Sequence, residues 1–377
     1  MTELHYNDFQ KNIRIIQQTG TPKNIDLENI NQILLILPKK ISNNIWKNIP
    51  QGENLKALIM NRSSGGLPTI STRLKNKKQT ALHIGKFDPK KEAHESLTSA
   101  RKMIQATSNE KSGIIAIWIL GFDENDQESI ARAMISAALA AKFMMPEYKS
   151  NPSKEKINSI KLIGMNKKIN LEREIAESHG NNIARWLTAL PANKLDALNY
   201  IDLLSKLSND LNWELTVHKT EELKTMGAGA FLAVSQGNED DSAAIVRIKF
   251  KPHNKEAKKT LSLVGKGIIF DTGGSNLKPF NSMLDMHIDM GGSAVALGTL
   301  LAITKLNLPI EVDCWLAITE NRTGPKAYKS QDVITAANGK TIQTIHTDAE
   351  GRMVLADALF FAAKEKPDFI IDYATLT

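Results

Sequence analysis

"VGKGIIFDTGGSNLKPF", residues 264–280, passes from an apolar strand into an acidic, glycine-rich turn. The strand ends at Phe270, and Asp271 opens a loop whose Gly273 and Gly274 permit close approach of backbone. Lys266 and Lys278 flank that turn. Open α/β sheets place their sites just past the carboxyl ends of strands, so this stretch predicts both a sheet and a site at its end. Working outward, "AAIVRIKF", "KTLSLVGKGIIF", "PIEVDCWLAIT" and "DFIIDYATL" read as strands, and "GSAVALGTLLAITKL" and "MVLADALFFAAK" lie between them as helices. The expected fold class is α/β, with a mainly parallel central sheet flanked by helices.

The first part of the chain repeats the alternation. "QILLIL" (32–37), "KALIM" (56–60) and "IIAIWIL" (114–120) are strand-like, and residues 128–145 are strongly helical. A polar stretch over 146–159 reads as a surface connection, followed by the strand "IKLIGM". Two domains are therefore expected: a smaller N-terminal α/β domain over residues 1–169, and a catalytic domain over 170–377. The second opens with a helix over 171–190 that stops before Pro191.

With 377 residues, 42% hydrophobic and 24% charged, the chain is long enough for two full cores. Its longest apolar run, "GIIAIWILGF" at 113–122, is too short to span a bilayer, and "MTELHYNDFQ" has neither a basic nor an apolar leader region. The expectation is a cytoplasmic protein with no membrane partner. One cysteine, Cys314, allows no intrachain disulfide and reads as a buried thiol. The net charge of +7 raises DNA as a partner, but runs such as "KNKK" (75–78) and "KEAKK" (255–259) carry no interleaved aromatic residues.

Two further segments repeat the strand-end pattern of carboxylates. In "MLDMHIDMGGSAVALG", Asp289 stands before Gly291 and Gly292 at the start of an apolar helix. In "HTDAEGRMVLADAL" (346–359), Asp348 and Glu350 precede another. Each aspartate alone reads as an N-cap or a solvated loop residue. Four carboxylates in one crevice would repel one another unless a cation compensates them, and oxygen ligands in that number suit one or two divalent ions. There is no HExxH, GxSxG or GxxxxGK[ST] motif. His287 and His346 lie inside the acidic segments without ligand spacing to each other. Two-metal phosphoester hydrolysis would use a similar set, with more phosphate donors and no apolar specificity pocket.

"VGKGIIFDTGG", "LKP", "DMGG", "TDAEGR" followed by "LADAL", and the closing "ATLT" resemble, in order and spacing, the leucyl aminopeptidases, exopeptidases with a dinuclear metal centre. The resemblance covers about residues 171–377, with "MGAGAFLAVSQG" as a further anchor; the N-terminal part matches only in architecture, as a macro-like, non-catalytic domain. It implies release of N-terminal leucine or other apolar residues from peptides by metal-activated water. By matching position it implies metal ligation by Lys266, Asp271, Asp289, Asp348 and Glu350, with two divalent ions, Zn or Mn. Lys278 would polarise the scissile carbonyl, Arg352 would hold a bicarbonate at a helix N-terminus, and Met286, Thr375 and Leu376 would contact substrate. A homohexamer is implied as the assembly, and a DNA-binding role, known for some relatives, stays as an alternative.

Three departures from the family pattern stand out. His346 replaces the usual Asn before TDAEGR, and Ser330 and Gln331 stand where Pro and Gly are general. The sequence stops at Thr377 where the family continues into further helices and strands. A truncated chain, poorly active by itself and prone to associate through the edge strand "DFIIDYATL", is the resulting expectation.

Overall fold

The computed structural model describes residues 14–23, 27, 30–61, 69–107, 113–151, 157–253 and 256–377. They fall into two compact units, one ending at Ser178 and one running from His179 to Thr377.

The N-terminal unit is built on strands β1 (Arg14–Thr19), β2 (Gln32–Pro38), β3 (Thr69–Arg73), β4 (Ala81–Phe87), β5 (Gly113–Ile119) and β6 (Ile157–Met165), in the order β1-β6-β5-β2-β4-β3. All pairs are parallel except β3 with β4. Because side chains alternate along a strand, β2 feeds two cores. Leu34 and Ile36 join Met103, Ile130 and Met134 from the helices Ala93–Ala106 and Glu124–Lys142. Ile33 and Leu35 join Trp46, Leu55 and Trp118. The strand expected at "KALIM" is instead part of a helix, Gly52–Asn61. Leu55 is buried and Ile59, four residues on, packs against the same core, which is helical spacing; a short apolar run alone does not separate the two periods. The connection expected over 146–159 lies partly outside the described residues.

In the C-terminal unit, β7 (Glu214–Lys219), β8 (Ala244–Phe250), β9 (Lys259–Asp271), β10 (Ile310–Asn321) and β13 (Phe369–Tyr373) form a sheet in the order β13-β9-β10-β8-β7. Parallel pairing dominates the two sheets together. Here it joins β13, β9 and β10, whereas β8 and β7 run antiparallel. A separate ribbon pairs β11 (Val333–Thr335) with β12 (Thr341–Gln343).

Helices cover both faces of β9. Val264 and Ile268 pack with Val354, Ala358 and Phe361 of the helix Glu350–Lys364. On the other face, Gly265 lies so near the helix Gly291–Leu306 that a Cβ there would sit 2.5 Å from Ser293 Cα. Asn307, left-handed at φ 44°, ends that helix and donates its N–H to Ile303 O. The stretch Phe280–Leu306 is apolar enough to match a membrane span by composition, but 61% of its most apolar part is buried inside the unit, as in a core helix.

Candidate metal centre

Lys266 and Asp271 both come from β9, whose inner half is buried between the two helices. Asp289 closes a 3-10 turn (Met286–Ile288) just before the helix Gly291–Leu306. Asp348 lies in a second 3-10 turn (Thr347–Ala349), and Glu350 is the first residue of the helix that follows. Ion pairs of Lys266 and Lys278 join β9 and the loop after it to the two turns and to the helix start.

Lys266, only 3% exposed, is held by three partners. Its Nζ lies 2.8 Å from Asp289 and 2.8 Å from Glu350 Oε1, and donates to Thr375 O at 2.6 Å. Lys278 Nζ stands 2.9 Å from Asp271 Oδ2 and 2.5 Å from Asp348 Oδ1. Asp271, Asp348 and Glu350 each present an oxygen such that all three lie within 4.8 Å of one another.

Charge and burial compete at both lysines, at Asp289 and at Glu350. Burial works against both ammonium groups, yet Glu350 and Asp289 hold Lys266, and Asp348 and Asp271 hold Lys278, above the ordinary lysine range. Burial pushes Glu350 and Asp289 upward as carboxyls, against the pull of Lys266. Glu350 Oε2 is buried with no hydrogen-bond donor among the described residues. A buried carboxylate oxygen without a donor is costly unless a cation reaches it, so the donor set fits hard or borderline divalent ions.

Three residues that the sequence reading passed over hold the acidic segments together. Asn321, the fully buried last residue of β10, donates from Nδ2 to Asp271 Oδ1 (2.8 Å) and to Thr347 O (3.1 Å). Thr347 donates its hydroxyl to Gly273 O at 2.6 Å and accepts from Asn276 N at 2.8 Å. Tyr328 donates its hydroxyl to Thr347 O at 2.8 Å. The sequence signal for Asn321 was only its place just past the strand read in "PIEVDCWLAIT". Gly273 is required where it is: φ is +87°, and a Cβ would come 3.1 Å from Asp348 Oδ1.

Residues 182–377 match the model of the cytosol aminopeptidase family, catalytic domain. The chain belongs to the cytosol aminopeptidase family. A probable cytosol aminopeptidase of Alkaliphilus oremlandii is 33% identical over 315 residues, covering 81% of this chain and 62% of that protein. One from Chlorobaculum tepidum is 43% identical over 197 residues, covering 52% of this chain and 39% of that protein. The chain thus spans less than two thirds of the length of the curated relatives it matches. Its fold superposes on leucyl aminopeptidase from Trypanosoma brucei in complex with bestatin with a TM-score of 0.82, at 22% identity, covering 98% of this chain and 74% of that one.

Around the carboxylates of this family member, the remaining expected site residues take these places. Thr375 donates its hydroxyl to Asp289 Oδ1 at 2.8 Å, so the segment after β13 touches the cluster both there and at Lys266. Leu376 is 45% exposed, Met286 is half-buried in its 3-10 turn, and Arg352 projects to solvent from the first turn of its helix. His346 is exposed, and its Nδ1 accepts from Asp348 N at 3.2 Å, capping the turn that carries Asp348. Ser330 donates to Asn276 Oδ1 at 3.1 Å, and Gln331 adopts φ +75°, a conformation glycine takes without strain.

Proposed function

We propose that this chain carries the catalytic centre of a metal-dependent aminopeptidase that releases N-terminal leucine and other apolar residues from peptides. The observation that carries the reading is the convergence of Asp271, Asp348 and Glu350 within 4.8 Å, with Lys266 and Asp289 beside them, where the end of β9 meets two turns and a helix start. Those five residues would hold two divalent ions, Zn or Mn, with Lys266 binding as a neutral amine once the ions take the place of its proton as partner to Asp289 and Glu350. When bound, such ions activate water and polarise the carbonyl under attack.

The chain's own residues supply the rest. Lys278 lies beside Asp271 and Asp348, where an ammonium stabilises negative charge on the carbonyl oxygen as it develops. Arg352 and the N-terminus of the helix Glu350–Lys364 offer positive charge for a small anion such as bicarbonate, which would accept and return a proton. Met286 and Thr375, both hydrogen-bonded to Asp289, and Leu376, beside Gly351, would contact the first side chain. The name borne by the relatives supports a cytoplasmic setting, and assembly as a homohexamer belongs to the same reading.

Chelator-treated protein, reloaded with Zn²⁺ or Mn²⁺ and assayed on a leucyl anilide, an aryl phosphodiester and a DNA gel shift, tests it. Metal-dependent release from the anilide alone is expected. Stoichiometric metal with hydrolysis of the phosphodiester only, or absence of metal uptake by folded protein, would overturn the proposal.

A further inference from the structure

We propose that Asn321 is a positioning residue: acting with Thr347, it fixes the plane in which the Asp271 carboxylate faces the cluster and how far the β9 end stands from the turn carrying Asp348. The inference rests on the metal-dependent reading above and goes on to residues outside the ligand set.

Asp271 Oδ1 is fully engaged inside the protein. It accepts from Asn321 Nδ2 and from Gly273 N, both at 2.8 Å. That leaves Oδ2 to face Lys278 and the other carboxylates. Without the Asn321 donor only the Gly273 N–H would hold Oδ1 and the carboxylate plane could turn about its Cβ–Cγ bond, so Asn321 narrows the direction in which the other oxygen faces the cluster.

The same amide nitrogen donates its second proton to Thr347 O, one residue before Asp348. Asn321 therefore ties strand β9 directly to the turn, and a second tie runs from the Thr347 hydroxyl to Gly273 O. The parallel register shifts between Thr319 and Asn321, which places Asn321 opposite Asp271. Asn321 and Thr347 are both 0% exposed, so water does not replace these bonds without reorganisation. A strained or loose spacing between Asp271, Asp348 and Glu350 would change how cations are held, since partners that orient ligands tune metal affinity.

The test is Co²⁺ titration of chelator-treated full chain, followed by visible absorption, with the melting temperature of the metal-free protein recorded alongside. The variants are Asn321→Leu, close in volume and without donors, Thr347→Val, which loses the hydroxyl, and Thr347→Ser, which keeps it. Asn321→Leu and Thr347→Val are expected to weaken Co²⁺ binding roughly 10–100-fold and to change the ligand-field bands at saturation, whereas Thr347→Ser stays close to the wild type. A purely structural role would lower the melting temperature and leave the saturated spectrum unchanged. Unaltered affinity and bands in folded Asn321→Leu overturn the proposal; if that variant does not fold, the same result in Thr347→Val does so. Failure of the wild type itself to take up Co²⁺ instead overturns the metal-dependent reading, and this inference with it.

Discussion

Gly351 packs directly on Lys266: a Cβ at residue 351 would fall 2.8 Å from Lys266 Cε and 2.9 Å from its Cδ. The lysine tail has little freedom to move aside, because Asp289, Glu350 and Thr375 O all hold its Nζ. Gly351→Ala should therefore displace Lys266 more than it disturbs the fold. The expected outcome is metal binding weakened by roughly 10-fold or more, with helix content unchanged. Isothermal titration with Zn²⁺ beside circular dichroism measures both, and wild-type affinity in the variant would show that the lysine tail relaxes freely.

Lys278 contacts two of the proposed ligands but comes from the loop beyond them. Lys278→Ala should leave stoichiometric metal in place while turnover of a leucyl anilide falls roughly 10²–10³-fold, the usual cost of one oxyanion donor. Metal analysis and steady-state kinetics on the same sample decide the matter. Loss of metal would make Lys278 part of the binding set.

Asp357 sits two turns beyond Glu350 on the same helix, 0% exposed, and accepts from Phe231 N and Ala337 N at 2.8 Å each. Burial raises its pKa, against the backbone donors that favour the charged form. Asp357→Ala would leave the buried Phe231 N–H and the half-buried Ala337 N–H without acceptors, costing about 1–3 kcal/mol for the first and less for the second. Urea denaturation should show a drop of that order; a change below about 1 kcal/mol would mean that the two N–H groups find other acceptors.

Burial holds the His179 imidazole down to about 4, and Lys305 adds to that effect. The unfolded chain takes its proton near the ordinary value of 6.5 while the folded chain stays neutral, so protonation favours unfolding in between. The contribution is complete above pH 6.5 and is lost as pH falls toward 4. Melting temperatures across that window should decline less steeply in His179→Gln than in the wild type. Parallel slopes would show that His179 titrates normally.

The alternation of strands and helices in the C-terminal unit was legible because it is written in local periodicity. The same holds for the segments that bear Asp271, Asp289, Asp348 and Glu350: an apolar element, a carboxylate and a glycine fall within a few residues of one another, and the sequence shows them together. The "KALIM" segment was not legible, since five residues do not distinguish a strand from one face of a helix; packing of Leu55 and Ile59 against one core decided it.

By itself the sequence determined the family and the chemical character of its acidic segments. Only the tertiary structure decided what holds those segments in place. Lys266 meets Asp289 from 23 residues away, Asn321 meets Asp271 from 50, and Asp357 meets Phe231 from 126. In sequence, Asn321 looks like any polar residue at the end of a strand. It becomes a clamp because β9 and β10 pair in parallel and bury its amide between two segments. The bonds that orient a site join chain segments made neighbours by sheet pairing and helix packing, and no local pattern of residue types records that neighbourhood.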